Sequence, residues 1–293
     1  MSLNQKKWFY LIVLSIIWGS SFILIKKGLV SLTPTQLGAL RVIISGLILL
    51  LIGYKSLKTI ARKNYIWIVI TALLGTFFPA FLFAFAETEV DSAIVSILNS
   101  LVPLNTILFG LAVFKISSTK RQVMGVIIGF IGTTILIASG AQLNPHQNYL
   151  YAGFVIIATI MYAMSVNIIK KHLQDEKPLA IATGNFVVII IPALIVLCFS
   201  NFFTEETFNK EGIYLSIFYI VLLSAFGTAL AKVMFNKLIQ MSSPVFAASV
   251  TYMMAIVAVL WGLFDGERIG FIQALGGLII LSGVYLANKK VKA

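Results

Sequence analysis

Apolar residues run along this chain in stretches of roughly twenty, long enough for a helix to cross a hydrocarbon core of about 30 Å. Short polar breaks divide them into ten predicted helices, near residues 8–29, 35–54, 65–86, 92–114, 122–139, 150–169, 179–199, 214–236, 244–264 and 270–288. The pattern is also written twice. Gln122, Gly125 and Gly132 recur 151 positions later as Gln273, Gly276 and Gly283, and Pro34 recurs 144 positions later as Pro178. Five predicted spans separate equivalent positions, an odd number, so the second copy enters the membrane from the opposite side. The register changes because the outer loop from Ser200 to Gly212 is longer than its inner counterpart. The expected organisation is therefore an all-α integral membrane protein with ten transmembrane helices, built as two inverted five-helix repeats over residues 1–140 and 141–293. Such repeats place a substrate site at the midplane between the halves and argue for alternating access.

Composition and charge agree with that picture and add a direction to it. With 59% hydrophobic and 11% charged residues and a mean hydropathy of +1.00, the chain has too much apolar surface for a soluble globule. Ten spans with short loops use up its 293 residues, leaving no room for a soluble domain or a long linker. The run after Lys6 and Lys7 lacks a small-residue cleavage site and is expected to be a retained first span. If the N-terminus is cytoplasmic, the inner segments carry 16 of the 22 Lys and Arg residues, among them Lys55, Arg62, Lys120, Arg121, Lys170, Lys171 and Lys237. The outer loops hold Glu87, Glu89, Asp91, Glu205, Glu206, Glu211, Asp265 and Glu267, eight of the ten acids. Since the Lys/Arg bias sets orientation, both termini are expected to be cytoplasmic, in the inner membrane of a prokaryote. Lys26 and Lys27 run against the trend and are expected to snorkel at the outer end of span one.

The net charge of +12 is scattered over short loops, so no nucleic-acid partner is expected. The single cysteine, Cys198, excludes an internal disulfide, and no metal or other cofactor is expected. Gly125, Gly129 and Gly132 in span five, and Gly276, Gly277 and Gly283 in span ten, read as close-packing positions. Trp8, Tyr10, Tyr54, Tyr65, Trp67, Tyr149, Tyr151 and Tyr214 fall near predicted interfaces and read as anchors in the lipid headgroups.

Several short motifs occur in a telling order: Trp18-Gly19-Ser20-Ser21-Phe22, the stretch from Pro34 to Arg41, Leu98-Asn99-Ser100-Leu101-Val102-Pro103, Arg121-Gln122 with Gly125 to Gly132, Gly266-Glu267-Arg268-Ile269, and Gln273 to Gly283. In this order the chain resembles the EamA-type ten-span branch of the drug/metabolite transporter superfamily, over nearly its whole length. The resemblance implies a basket of two inverted halves around a central cavity lined by spans one to four and six to nine, with five and ten outside. It leaves the substrate open, since members carry amino acids, nucleotide sugars, organic phosphates and drugs. Two positions depart from the pattern. Ile116 stands where an acid is usual, and Met254 or Ala255 stands where a proline like Pro103 is usual, which bears on how span nine bends. Small multidrug exporters of the superfamily use a glutamate in their first span, and span one here has no acid.

Chemistry within the spans is sparse. Arg41 lies seven residues past Pro34, about 10 Å into the membrane. An intramembrane charge is either functional or a structural group bonded to backbone carbonyls. Its repeat mate is Asn185, which is uncharged. Lys232 in span eight either snorkels to the inner interface or faces the cavity, and a cavity holding both cations implies an anionic substrate. Trp18 and Ser21, Asn99, Tyr162, Ser165 and Asn167, and Tyr252 complete the candidate substrate-binding set, with helix packing as the alternative for each. Pro79, Pro103 and Pro192 remove backbone hydrogen bonds inside spans, as hinges or as fixed bends. His146 and His172 fall in loops. No histidine, cysteine or carboxylate pair at membrane depth suggests an enzyme, and no phosphate-binding loop suggests ATP-driven transport. The expected function is secondary transport of a small polar metabolite, an amino acid or related carboxylate first, by export or facilitated exchange across the cytoplasmic membrane. A proton-coupled exporter of toxic compounds and a non-transporting receptor or scaffold are the alternatives. The lipid bilayer and a small-molecule substrate are the expected partners, with the oligomeric state open.

Overall fold

A computed structural model describes residues 2–90, 92–116, 118–141, 149–264 and 271–288. Asp91, His146, the segment 265–270 with Asp265, Gly266, Glu267, Arg268 and Ile269, and Lys289, Lys290 and Lys292 lie outside the described residues.

The described residues are helical throughout, with no strand among them. The order is α1 (Leu3–Gly28), α2 (Pro34–Gly53), α3 (Tyr65–Ala72), a π-helical segment (Leu73–Phe77), α4 (Phe78–Ala86), α5 (Ser92–Asn99), α6 (Leu101–Ala112), α7 (Lys120–Ala141), α8 (Ala152–His172), α9 (Pro178–Cys198) and a short α10 (Glu205–Phe208). After these come α11 (Ile213–Leu222), a second π-helical segment (Leu223–Leu230), α12 (Ala231–Met241), α13 (Pro244–Ala248), α14 (Val250–Phe264) and α15 (Phe271–Asn288). Among the described residues, seven helices are long and apolar enough to cross a membrane: Leu3–Gly28, Pro34–Thr59, Arg62–Ala86, Ala152–His172, Pro178–Cys198, Ile213–Met241 and Pro244–Phe264. Large apolar side chains face outward along them; Leu51 is 80% exposed and Ile191 64%, as a lipid-facing surface requires.

Local chemistry sets the helix starts. Thr33 accepts from the Gln36 amide while the Gln36 side chain accepts from the Thr33 amide, a reciprocal cap with Pro34 at the first helical position. The Gln36 Nε2 continues to the Ser200 carbonyl, tying the start of α2 to the end of α9. On the opposite side, the buried Glu176 carboxylate accepts from the Ala61 amide at 2.9 Å and from Asn64 Nδ2 at 2.7 Å, joining the segment after α2 to the segment after α8.

Helix breaks follow the prolines only in part. α5 ends at Asn99 and α6 starts at Leu101, with Pro103 three residues into the new helix, where its missing N–H and ring exclude the straight continuation. Pro192 sits inside α9 without interrupting it. Between α13 and α14 the chain breaks at Ser249 with no proline nearby downstream. The break is held by the Ser249 hydroxyl donating to Phe246 O at 2.7 Å, so the absence of proline at Met254 and Ala255 does not straighten this helix. His172 is the last residue of α8, where its ring stacks on Trp67 at 3.8 Å.

The principal packing pairs are α2 with α9, α1 with α14, α6 with α8, and α7 with α15. The α7–α15 seam is made of glycines. A Cβ on Gly283 would stand 2.5 Å from the Gly129 backbone nitrogen, one on Gly132 2.7 Å from the Ile280 nitrogen, and one on Gly125 2.7 Å from the Gly283 carbonyl oxygen. In hydrocarbon no hydrophobic drive holds helices together, so this backbone approach supplies the association. Gly283→Ala is expected to destabilise the protein by about 1–3 kcal/mol through overpacking. Gly153→Ala, where a Cβ would meet nothing within 4 Å, is expected to be neutral or stabilising. Thermal melts of the two variants in detergent check the contrast.

Candidate functional site

A cavity of about 120 Å³ opens between α1, α2, the two π-helical segments, α4, α5, α6, α8, α12, α13 and α14. Trp18, Ser21, Arg41, Asn99, Tyr162, Ser165 and Lys232 all line it. Asn167 and Tyr252 do not. The Asn167 amide donates to the Thr106 carbonyl at 3.0 Å, turning toward α6 and a separate cavity beside Lys170 and Ser243. Tyr252, 1% exposed, donates its hydroxyl to Val126 O and lays its ring against Gly129 of α7. Neither contributes to this cavity: the Asn167 Nδ2 and the Tyr252 hydroxyl are bonded to backbone carbonyls of neighbouring helices. Asn185, the mate of Arg41, is likewise structural: its Nδ2 donates to Ile68 O at 2.7 Å and Thr71 Oγ1 at 2.9 Å.

The two π-helical segments build the floor for the cations. In the first segment, where the Phe78 N–H bonds five residues back to the Leu73 carbonyl, the group that meets the lysine is the Gly75 carbonyl. Lys232 Nζ donates to this carbonyl at 2.8 Å, which holds the lysine inside the cavity at 8% exposure rather than at the inner interface. A Cβ on Gly75 would stand 3.0 Å from Nζ, so the missing side chain admits the ammonium. In the second segment the Gly227 carbonyl accepts the Trp18 indole N–H at 2.8 Å, and Thr228 Oγ1 accepts Arg41 Nε, also at 2.8 Å. Thr76, Thr228, Gly75 and Gly227 carried no obvious sequence signal.

Arg41 is held only through Nε among the described residues, which leaves its two terminal nitrogens to the cavity. No Asp or Glu is among the described residues lining it. Two neutral polar groups complete the lining. Thr76 Oγ1 and Asn99 Oδ1 are enclosed and have no hydrogen-bond partner. Around them stand rings: Trp18 meets Phe235 at 4.8 Å, and Phe83 lies between Phe22 at 6.4 Å and Tyr162 at 5.9 Å.

Glu87 sits just beyond α4, outside the span and outside the lining. Its Oε2 accepts from Ser92 Oγ at 3.2 Å, while Oε1 is buried without a partner. Burial pushes its carboxyl well above the usual carboxylate range, against the opposing pull of Ser92 and of the positive charges of Arg41 and Lys26.

These features define a multi-pass membrane protein with a central cavity carrying two cationic side chains. The chain belongs to the EamA-like transporter family, which matches residues 5–138 and again 150–289, and thereby to the drug/metabolite transporter superfamily. The family is one of transporters rather than enzymes. Similar proteins include the uncharacterized transporter YyaM of Bacillus subtilis, 24% identical over 95% of this chain and 92% of that one. The uncharacterized inner membrane transporter YedA of Escherichia coli K12 is 26% identical over 95% and 89%. A protein of Salmonella typhimurium named a probable amino-acid metabolite efflux pump is 22% identical over 97% and 95%. A solved protein crystal structure superposes with a TM-score of 0.72 at 15% identity, covering 98% of this chain and 96% of that one, and shares the fold.

The Glu87 environment makes a stability prediction. Because the folded state favours the protonated carboxyl, the stability linked to it is complete below the ordinary carboxylate value and is lost as pH rises through the raised folded value. Glu87→Gln is therefore expected to melt like the parent near pH 4 and a few degrees higher near pH 8, at about 2–4 °C per kcal/mol. Melting curves across pH test the crossing.

Proposed function

We propose that this protein is a secondary transporter that moves a small anionic metabolite, an amino acid or related carboxylate first, across the inner membrane of a prokaryote by alternating access. The carrying observation is the pair of Arg41 and Lys232 in one cavity with no carboxylate among its described lining residues. Burying two such charges is costly, and a bound anion relieves the cost. The name of the Salmonella relative, an amino-acid metabolite efflux pump, supports amino acids or their products and an outward direction. The name of the Escherichia coli relative supports the inner membrane. Cationic amphiphilic drugs are the weaker reading, since both charges would repel them.

Ten spans in two inverted halves, residues 1–140 and 141–293, are part of the proposal. The family matches twice, once in each half. The packing pairs map onto themselves when the halves are exchanged: the first span on the ninth becomes the sixth on the fourth, while the second on the seventh and the fifth on the tenth are unchanged. Gly75 lies against Ser165 as Gly227 lies against Ser21, and both pairs exchange with the halves. The Lys/Arg distribution supports cytoplasmic termini.

The test is flux of amino acids and carboxylates in proteoliposomes, with and without a pH gradient. Arg41→Ala and Lys232→Ala are each expected to lower transport of the accepted anion by about tenfold or more, as loss of a charge-assisted bond predicts. Wild-type rates in both variants across all anions tested would count against the assignment.

A further inference from the structure

The two cations are separated, and their separation says more about the ligand than their sign does. Arg41 is fixed through its Nε to Thr228, and Lys232 springs from the same helix four residues later. Four residues advance a helix by about 6 Å, or roughly one turn. Lys232 then reaches across to the Gly75 carbonyl on the other π-helical segment. Each cation is thus tied at a different point by one neutral acceptor, and neither is tied to the other's counter-charge.

Resting on the transport reading above, we propose that the cavity is a site for short dicarboxylates of four or five carbons bearing a hydroxyl or amino group. One carboxylate is taken by the terminal nitrogens of Arg41 and the other by Lys232. A guanidinium with two free terminal nitrogens suits a planar carboxylate bidentately, and an ammonium suits a second, less directional one. The carboxyl carbons of such a diacid stand about 4–5 Å apart by ordinary C–C bond lengths, comparable to the one-turn spacing between Thr228, which holds Arg41, and Lys232. A phosphate monoester would concentrate its charge at one centre and leave one cation unmatched.

The polar substituent follows from the two groups with nothing to bond. Thr76 Oγ1 and Asn99 Oδ1 both belong to cavity-lining residues, and both are enclosed without a partner. A hydroxyl either donates or accepts, and a carboxamide offers both a donor and an acceptor. An unsubstituted diacid leaves them unmet, and an unmet buried polar group carries a penalty that a substituted diacid removes. Glu87 does not compete for Arg41: it lies outside the lining, bonded to Ser92, and its buried carboxyl favours the neutral form.

Binding to the purified full-length protein, by calorimetry and thermal shift, tests this with a graded series. The probes are malate, aspartate and glutamate; succinate; lactate and alanine; the eight-carbon diacid suberate; and inorganic phosphate. Malate, aspartate or glutamate is expected to bind at least about tenfold more tightly than lactate or alanine, and more tightly than succinate, suberate or phosphate. Lys232→Gln is expected to bring the diacid down to the monoacid level, while Lys232→Arg keeps part of the preference. The unmodified protein alone decides the matter if the variants do not fold. Equal affinity for mono- and dicarboxylates, or tighter binding of phosphate or suberate, overturns the dicarboxylate assignment and leaves anion transport standing. Absence of binding and flux for every anion overturns both.

Discussion

The hydrogen bond from Lys232 to the Gly75 carbonyl is where a constraint of the bilayer becomes a site. Hydrocarbon offers no water to a backbone group, so a carbonyl whose helical partner is missing has to find one inside the protein. In the π-helical turn before Pro79 the Gly75 carbonyl takes a partner from outside its own helix, the lysine of a facing helix. The charge is thereby held at membrane depth instead of reaching for the interface. The second π-helical segment does the corresponding work for Arg41 and Trp18 through Thr228 and Gly227. π-turns inside helices recur at functional sites because they free backbone groups without ending the helix.

The rest of the structure keeps that arrangement in place. Glycines at the α7–α15 seam bring two backbones into contact away from the cavity, so the lining helices are buttressed by a unit that does not itself line it. At the two membrane faces, side chains rather than long loops join helices: Gln36 reaches the end of α9, and Glu176 bonds the segment before α3. Between them the lining is aromatic and apolar with four unmet or half-met polar groups, Arg41, Lys232, Thr76 and Asn99. That contrast is what a ligand of high charge and small size needs. The apolar walls strengthen each electrostatic contact, and the few polar groups set where the charges sit.

Much of this was legible in the chain. Helix positions followed from runs of apolar residues, since only a continuous helix satisfies its own backbone in lipid, and the ends agree closely with those observed. Arg41 and Lys232 stood out because charges at membrane depth are rare. The glycines of α7 and α15 read as packing positions, and they are. Asn167 and Tyr252 read as site residues by the same polarity rule and lie elsewhere, the Asn167 Nδ2 turned to the Thr106 carbonyl and the Tyr252 hydroxyl to that of Val126. Span nine was expected to depend on a proline it lacks, yet Ser249 breaks it through its own hydroxyl.

The sequence by itself determined which stretches are apolar and helical, that the family pattern occurs twice along the chain, and which few charges fall within those stretches. These are properties of hydropathy and spacing, readable one residue at a time. Only the tertiary structure decided which of the polar residues share a cavity. It set Arg41 against Thr228 and Lys232 against Gly75, pairs separated by 187 and 157 residues. It also left Thr76 and Asn99 without partners. Rotation of a helix about its axis selects the face each side chain presents, and that rotation is fixed by packing against helices far away in the chain.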